Sequence, residues 1–294
     1  MYTIRQIITG VRNLNAASTE LHKKYFEKCG DHSGANFFNE DWDNLIILDA
    51  CRYDLFSEVA SLEGELIKKE SVASQTEEFL RKLVHGKSYP DTVYVSANPQ
   101  LTKINAEFSE IVELWETMWD NEMNTVPPKS VAEAALTAQE NWPNKRLVIH
   151  FVQPHIPFIG TTGREIPQPS LEGGTIDRGE DAVSVWKQLA NGDLSKNTAW
   201  EAYRENLQVV LPVVEDLLED LDGKSVVTSD HGNMFGKRHI YGHPSGVHLK
   251  ELVEVPWLVR NGERRTITDS SSVKSTKSVA NNTVESRLSD LGYL

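Results

Sequence analysis

The chain has 294 residues, 39% hydrophobic and 25% charged, which is the composition of a globular protein and excludes a disordered or fibrous one. Thirty Lys and Arg face 43 Asp and Glu, a formal net charge of −13. That field repels phosphate backbones and argues against nucleic-acid binding, yet it admits a small anionic substrate wherever a bound cation inverts the local field.

In chain order, Ile4, Ile7, Ile8 and Val11 come first and share one helical face. That face packs onto the domain or, as the alternative, rests on a membrane surface. No apolar core with a small-residue cleavage site follows Met1, and the early apolar run 45–48 is far too short to span a bilayer. A cytoplasmic address without a transmembrane segment is the expectation. The two cysteines, Cys29 and Cys51, make neither a disulfide framework nor a paired zinc-ligand spacing.

Short Val-, Ile- and Leu-rich runs predict buried strands at 45–48, 92–96, 146–152, 225–228 and 253–259. Helical spacing predicts helices at 131–141, capped by Ser130, and at 199–221, kinked at Pro212. The alternation implies an α/β fold, with a mainly parallel central sheet sandwiched by helices. Residues 160–193 read as a long loop or lid, and 266–281 as a flexible connection rich in Ser, Thr and Lys. Asn282 with Glu285 makes a capping box, and Gly292 is a helix stop. The expected organisation is a catalytic domain over 1–262, followed by a linker and short helix over 263–294. There is no internal repeat.

Ligands of open parallel sheets gather at the carboxyl ends of strands. Asp49 directly follows the run 45–48, Asp230 and His231 follow 225–228 after one Ser, and His155 follows 146–152 by three residues. Two carboxylates and an imidazole at one sheet edge suit a divalent cation such as zinc or manganese. Taken singly, each also reads as a cap or turn residue.

Three segments carry a resemblance. Val227-Thr228-Ser229-Asp230-His231-Gly232-Asn233 resembles the Thr-Ser-Asp-His-Gly metal motif of the alkaline phosphatase and sulfatase superfamily. Ile47-Leu48-Asp49-Ala50-Cys51-Arg52-Tyr53-Asp54 resembles that superfamily's first strand, and His150-Phe151-Val152-Gln153-Pro154-His155-Ile156-Pro157 its His-Phe…Pro-His-x-Pro segment. Their order agrees, as does the strand containing Glu254-Val255-Pro256-Trp257, so the likeness spans residues 45–259. Within the superfamily the chain is most similar to short cytosolic sulfatase-like proteins common in archaeal genomes. The resemblance implies an alkaline phosphatase-like fold and a metal held by Asp49, Asp230 and His231.

Two departures narrow the expected chemistry. Cys51 lacks the Cys-x-Pro-x-Arg context of formylglycine sulfatases and lies too close to Asp49, which makes it a small buried hydrophobe. A second metal would need a carboxylate where Gln153 stands, so one divalent metal is expected: zinc or manganese first, calcium or magnesium next. That pattern resembles the phosphoglycerol and phosphoethanolamine transferases, in which a hydroxyl nucleophile joins the metal ligands.

Residues 71–79 hold the candidate nucleophiles at a helix N-terminus that favours anions. Alignment of Glu78-Phe79 with the transferases' acidic-aromatic pair puts Ser74 at the nucleophile, with Thr76 as rival. Capping is the bland reading of both. His155 and His243 are the acid-base or oxyanion candidates, and Arg52 is either an anion contact or a structural ion-pair partner. The expected function is a metal-dependent hydrolase or transferase acting on phosphate or sulfate esters through a Ser or Thr hydroxyl. Two alternatives stay open: a phospho- or sulfo-transferase modifying surface glycans or lipids, and a non-catalytic binding protein on a sulfatase-like fold.

Overall fold

The computed structural model describes residues 14–29, 33–168, 184–276 and 282–293. The stripe from Ile4 to Val11 lies outside them. Among the described residues, ten strands follow one another: β1 (Asn44–Leu48), β2 (Glu65–Glu70), β3 (Ser88–Ser96), β4 (Glu107–Glu113), β5 (Arg146–Phe151), β6 (Ser225–Thr228), β7 (Met234–Phe235), β8 (Tyr241–Gly242), β9 (Glu254–Arg260) and β10 (Lys274–Ser275). Eight of them form one sheet in the order β10-β4-β3-β5-β1-β6-β9-β2, and β7 pairs with β8 alone. The run from β4 to β6 is parallel, and the outer strands β10, β9 and β2 join antiparallel.

β1 lies between β5 and β6, and all five of its residues are buried. Its side chains alternate: Ile46 and Leu48 enter one core, Leu45 and Ile47 the other. A strand covered on both faces reads as a continuous apolar run, which is why this one is visible in the sequence. The first core lies beneath the helices Pro128–Asn141 and Lys196–Asp220, and the second beneath Phe37, Trp42, Phe79 and Leu83. The sheet is therefore sandwiched, as expected.

Several expectations need adjusting. The helix expected at 131–141 starts at Pro128, because proline at the first helical position presets φ and has no N–H to leave unpaired, so Ser130 is not its cap. The long helix runs Lys196–Asp220 without a break at Pro212, and Ser195 caps it by accepting a hydrogen bond from the Thr198 amide. Of the expected 160–193 loop, the described parts contain two short helices, Thr161–Arg164 and Val185–Asn191.

Residues 266–276, expected to be a flexible connection, are tied along the sheet. The Thr268 amide donates to Asn144 O, that of Ser270 to Pro90 O and that of Thr276 to Ala106 O, while β10 pairs with β4. Backbone pairing of small hydroxyl residues leaves no apolar pattern to read. A helix spans Asn282–Asp290, and Gly292 follows it at φ +73°, the left-handed turn that stops a helix. No helix of the described residues is long and apolar enough to cross a membrane.

Candidate metal centre and active site

Asp49 leaves the end of β1, and Asp230 and His231 leave the end of the adjacent β6, so pairing of the two strands brings all three side chains together. Each is fully buried. One ligand atom from each lies within 4.8 Å of the other two.

Each of the three is held by its far atom. Asp230 Oδ1 accepts from the Ala50 amide at 3.0 Å and from the His231 amide at 2.9 Å. Asp49 Oδ2 accepts from Asn98 Nδ2 and from the Tyr293 phenol, both at 2.6 Å. His231 Nδ1 is 2.9 Å from the Gly232 carbonyl, an acceptor only, so this nitrogen carries the proton and Nε2 is bare. The near atoms, Asp49 Oδ1 and Asp230 Oδ2, have no hydrogen-bond partner, and they lie 3.5 and 3.4 Å from that bare Nε2.

Two buried carboxylate oxygens and a nitrogen lone pair facing one another, with the single Thr76 hydroxyl as the donor beside them, are strongly unfavourable unless a cation joins them. The titration behaviour agrees. Burial and the neighbouring Asp230 push the Asp49 carboxyl well above its usual range. Burial also pushes Asp230 upward, but His231, His150, the Ala50 amide and Thr76 outweigh it and leave it lowered. The oxygen and nitrogen donors fit a borderline divalent cation.

Thr76 supplies the hydroxyl. It opens the helix Thr76–Leu83 and is fully buried, with Oγ1 3.2 Å from His231 Nε2 and close enough to both carboxylates to draw their pKa down. Ser74 is elsewhere. Its hydroxyl lies 3.1 Å from Glu78 Oε2 and 2.9 Å from Pro244 O, with one proton to give to either, and accepts from the Val247 amide. Glu78, which set the motif register in favour of Ser74, also meets His248 and the Gly246 amide, so it ties two loops together. Its carboxyl is lowered because His248, Lys82 and two backbone amides outweigh its burial.

His155 and His243 come together, with Nε2 atoms 3.3 Å apart. His155 Nδ1 donates to the Ile156 carbonyl at 2.7 Å, so its Nε2 accepts, and the two rings are suited to hold one proton between them. Burial lowers both: His155 to about 3, and His243 well below its ordinary value with help from His155 and His231. His243 Nδ1 lies 2.8 Å from Asn233 Oδ1.

Arg52 lies apart from the ligand cluster. Its guanidinium pairs with Asp54, donates to Asn233 O at 3.1 Å and sits 5.0 Å above the Trp200 ring. It lines a neighbouring cavity of about 540 Å³ together with Trp200 and Lys237. Gln153 turns toward Thr125 and the Val126 carbonyl. Cys51 is buried, and that burial pushes its thiol well up. Gly232 has a steric reason: a Cβ there would lie 2.3 Å from Glu251 O and 2.8 Å from Arg52 Cγ.

The sequence reading missed Asn98 and Tyr293. Asn98 lies two residues beyond the end of β3, on the same edge rule that identified Asp49. Tyr293 has no comparable signal. Its ring stacks on His155, with centroids 4.8 Å apart and planes at 16°.

No protein-family model and no curated protein sequence matches the chain. Among solved structures it is similar to the soluble domain of lipooligosaccharide phosphoethanolamine transferase A from Neisseria meningitidis, at 11% identity over 75% of this chain and 76% of that one, TM-score 0.48. It is also similar to the C-terminal periplasmic domain of EcEptC from Escherichia coli in complex with Zn, at 13% identity over 79% and 76%, TM-score 0.45. A third is a 2-O GAG sulfatase, at 14% identity over 75% of this chain and 64% of that one, TM-score 0.46. These are the kinds of protein that the motif resemblance named. At such scores the likeness carries no weight of its own, and the chemistry has to come from the side chains.

Proposed function

We propose that the chain is a metal-dependent hydrolase or transferase of phosphate or sulfate esters with Thr76 as nucleophile. The observation that carries this reading is the set of bare inward atoms, Asp49 Oδ1, Asp230 Oδ2 and His231 Nε2, gathered around the Thr76 hydroxyl. Those three would hold one divalent cation, which supplies positive charge and lowers the pKa of a neighbouring hydroxyl.

Thr76 enters the cycle with its hydroxyl proton already released to solvent, and Oγ1 forms a bond to phosphorus or sulfur as the bond to the alcohol oxygen breaks. Negative charge on a bound ester would offset the burial that lowers the His155–His243 pair, and the pair then delivers a proton to the departing alcohol. Water, or a second alcohol, then takes the group from Thr76 and gives its own proton to the same pair, which restores the pair and leaves the Thr76 oxygen deprotonated for the next round. The helix behind Thr76 directs its N-terminal amides toward the developing anion. Arg52 acts at a distance, fixing the Asn233 backbone whose side chain meets His243.

Hydrolase and transferase share the first half of this cycle and differ in what takes the group from Thr76. Modification of glycans or lipids is the transferase form. A cytoplasmic address belongs to the same proposal, and fractionation of cells tests it.

The decisive experiment is mass spectrometry of protein trapped with an aryl phosphate or aryl sulfate in the presence of zinc or manganese. The expected adduct lies on the peptide bearing Thr76 and disappears in Thr76→Ala but not in Ser74→Ala. Turnover that persists in Thr76→Ala sinks the mechanism. A chain that takes up no metal and turns over no ester supports the non-catalytic binding protein.

A further inference from the structure

We infer that Tyr293 is a positioning residue for the metal centre, and that the segment carrying it sets how tightly the divalent cation is held. This rests on the cation reading above and extends it to a part of the chain that no metal motif covers.

A carboxylate at the end of a strand can turn about its Cβ–Cγ bond and offer either oxygen. In Asp49 that freedom is removed. Asn98 Nδ2 and the Tyr293 hydroxyl both donate to Oδ2 at 2.6 Å, and Asn98 Nδ2 is also 2.9 Å from the Tyr293 oxygen. Oδ1 is left as the free oxygen, 3.5 Å from His231 Nε2. Hydrogen bonds that orient a ligand in this way typically change metal affinity by about 10- to 100-fold.

The phenol is placed by packing that begins well outside the site. Val284 and Leu288, on the helix Asn282–Asp290, and Leu291 beyond it are buried, and the Arg287 guanidinium lies 4.3 Å above the Trp119 ring. The left-handed turn at Gly292 returns the chain toward the sheet, close enough to Ile156 that a Cβ would lie 2.8 Å from Ile156 Cδ1. The Tyr293 amide donates to Leu288 O at 2.8 Å, and its ring settles on His155. The phenol oxygen ends 3.4 Å from Thr76 Oγ1, so an ester approaching that hydroxyl passes beside this ring.

The test is calorimetric titration of the full, metal-stripped chain with zinc and with manganese, alongside Tyr293→Phe and Asn98→Ala. Tyr293→Phe keeps the ring on His155 and removes only the hydroxyl. Binding should weaken by about tenfold or more in the Phe variant, with its melting temperature in chelator close to wild type, and Asn98→Ala should weaken binding in the same direction. Wild-type affinity in Tyr293→Phe overturns the inference while leaving the metal reading intact. So does a loss seen in Tyr293→Ala but not in Tyr293→Phe, because ring packing would then account for it. A wild-type chain that binds neither metal overturns both, and is recognised before any variant is made.

Discussion

The floor of the site and its cover are built by different rules. The floor is Asp49, Asp230 and His231, set on the ends of two paired central strands and fully buried; Asp230 and His231 are held by the Ala50 and His231 amides and the Gly232 carbonyl, and Asp49 by Asn98 and Tyr293. The cover is His243 and Tyr293, which come from a loop and from beyond the last helix, are only partly buried and touch the floor through side chains, His243 by its ring against His231 and Tyr293 by its hydroxyl on Asp49. Pairing of the two central strands brings the first set together. The second exists only once distant segments have docked, so it is where accuracy depends on tertiary packing.

The largest expected effects fall on the floor. Asp230→Ala should abolish metal binding and reduce kcat/KM on an aryl ester by about a thousandfold or more, as should Thr76→Ala with metal binding partly retained. Both are read by steady-state kinetics with metal analysis, and near-normal turnover in either would erase the distinction between floor and cover. Next come His155→Gln and His243→Gln, each expected to slow turnover by about 10²- to 10⁴-fold. The loss should be greatest for esters with poor leaving groups, where proton delivery matters most, and equal losses across a leaving-group series would remove the pair from that role.

Smaller effects are structural. Gly232→Ala should destabilise the chain by about 1–3 kcal/mol in denaturant unfolding, because the added methyl meets the Glu251 carbonyl. Ser74→Ala should cost about 1 kcal/mol and change turnover only a few-fold, since its hydroxyl ties loops together. A Ser74→Ala variant as dead as Thr76→Ala would exchange their roles.

The pH dependence follows from His150, buried beside Tyr94, where burial lowers the imidazole to about 4. The unfolded chain, with an ordinary value near 6.5, binds the proton first as pH falls. Stability from this group is therefore complete above about 6.5 and is lost progressively down to about 4. His150→Gln should flatten that part of the profile in thermal melts of metal-free protein, and an unchanged slope would exclude His150 as a source.

Much of the fold is legible because the central strands are covered on both faces and thus read as apolar runs. β2 and β4 escape for the opposite reason: their sequences, Glu-Leu-Ile-Lys-Lys-Glu and Glu-Phe-Ser-Glu-Ile-Val-Glu, place charges along a largely solvent-facing edge or in half-buried positions. Asp49, Asp230 and His231 are legible from the strand-end rule. Between Ser74 and Thr76, motif register pointed to the residue that the loops consume, because Glu78 stands in the same acidic-aromatic pair whatever its carboxylate contacts. Arg52 illustrates a similar limit: its distance from Asp49 in sequence says nothing of which way the guanidinium turns, and Asp54 and Trp200 draw it toward a different cavity.

Asn206 sits mid-way along the helix Lys196–Asp220, and its side-chain nitrogen lies 3.1, 2.8 and 3.2 Å from the carbonyl oxygens of Pro154, His155 and Pro157, while its oxygen takes the Ile159 amide. One amide thereby rivets the imidazole-bearing bend to the longest rod in the molecule. A shift of that rod, whether caused by a neighbour on its outer face or by heat, would drag the His155 ring with it and detune proton delivery while the ligands on the strand ends stayed where they are.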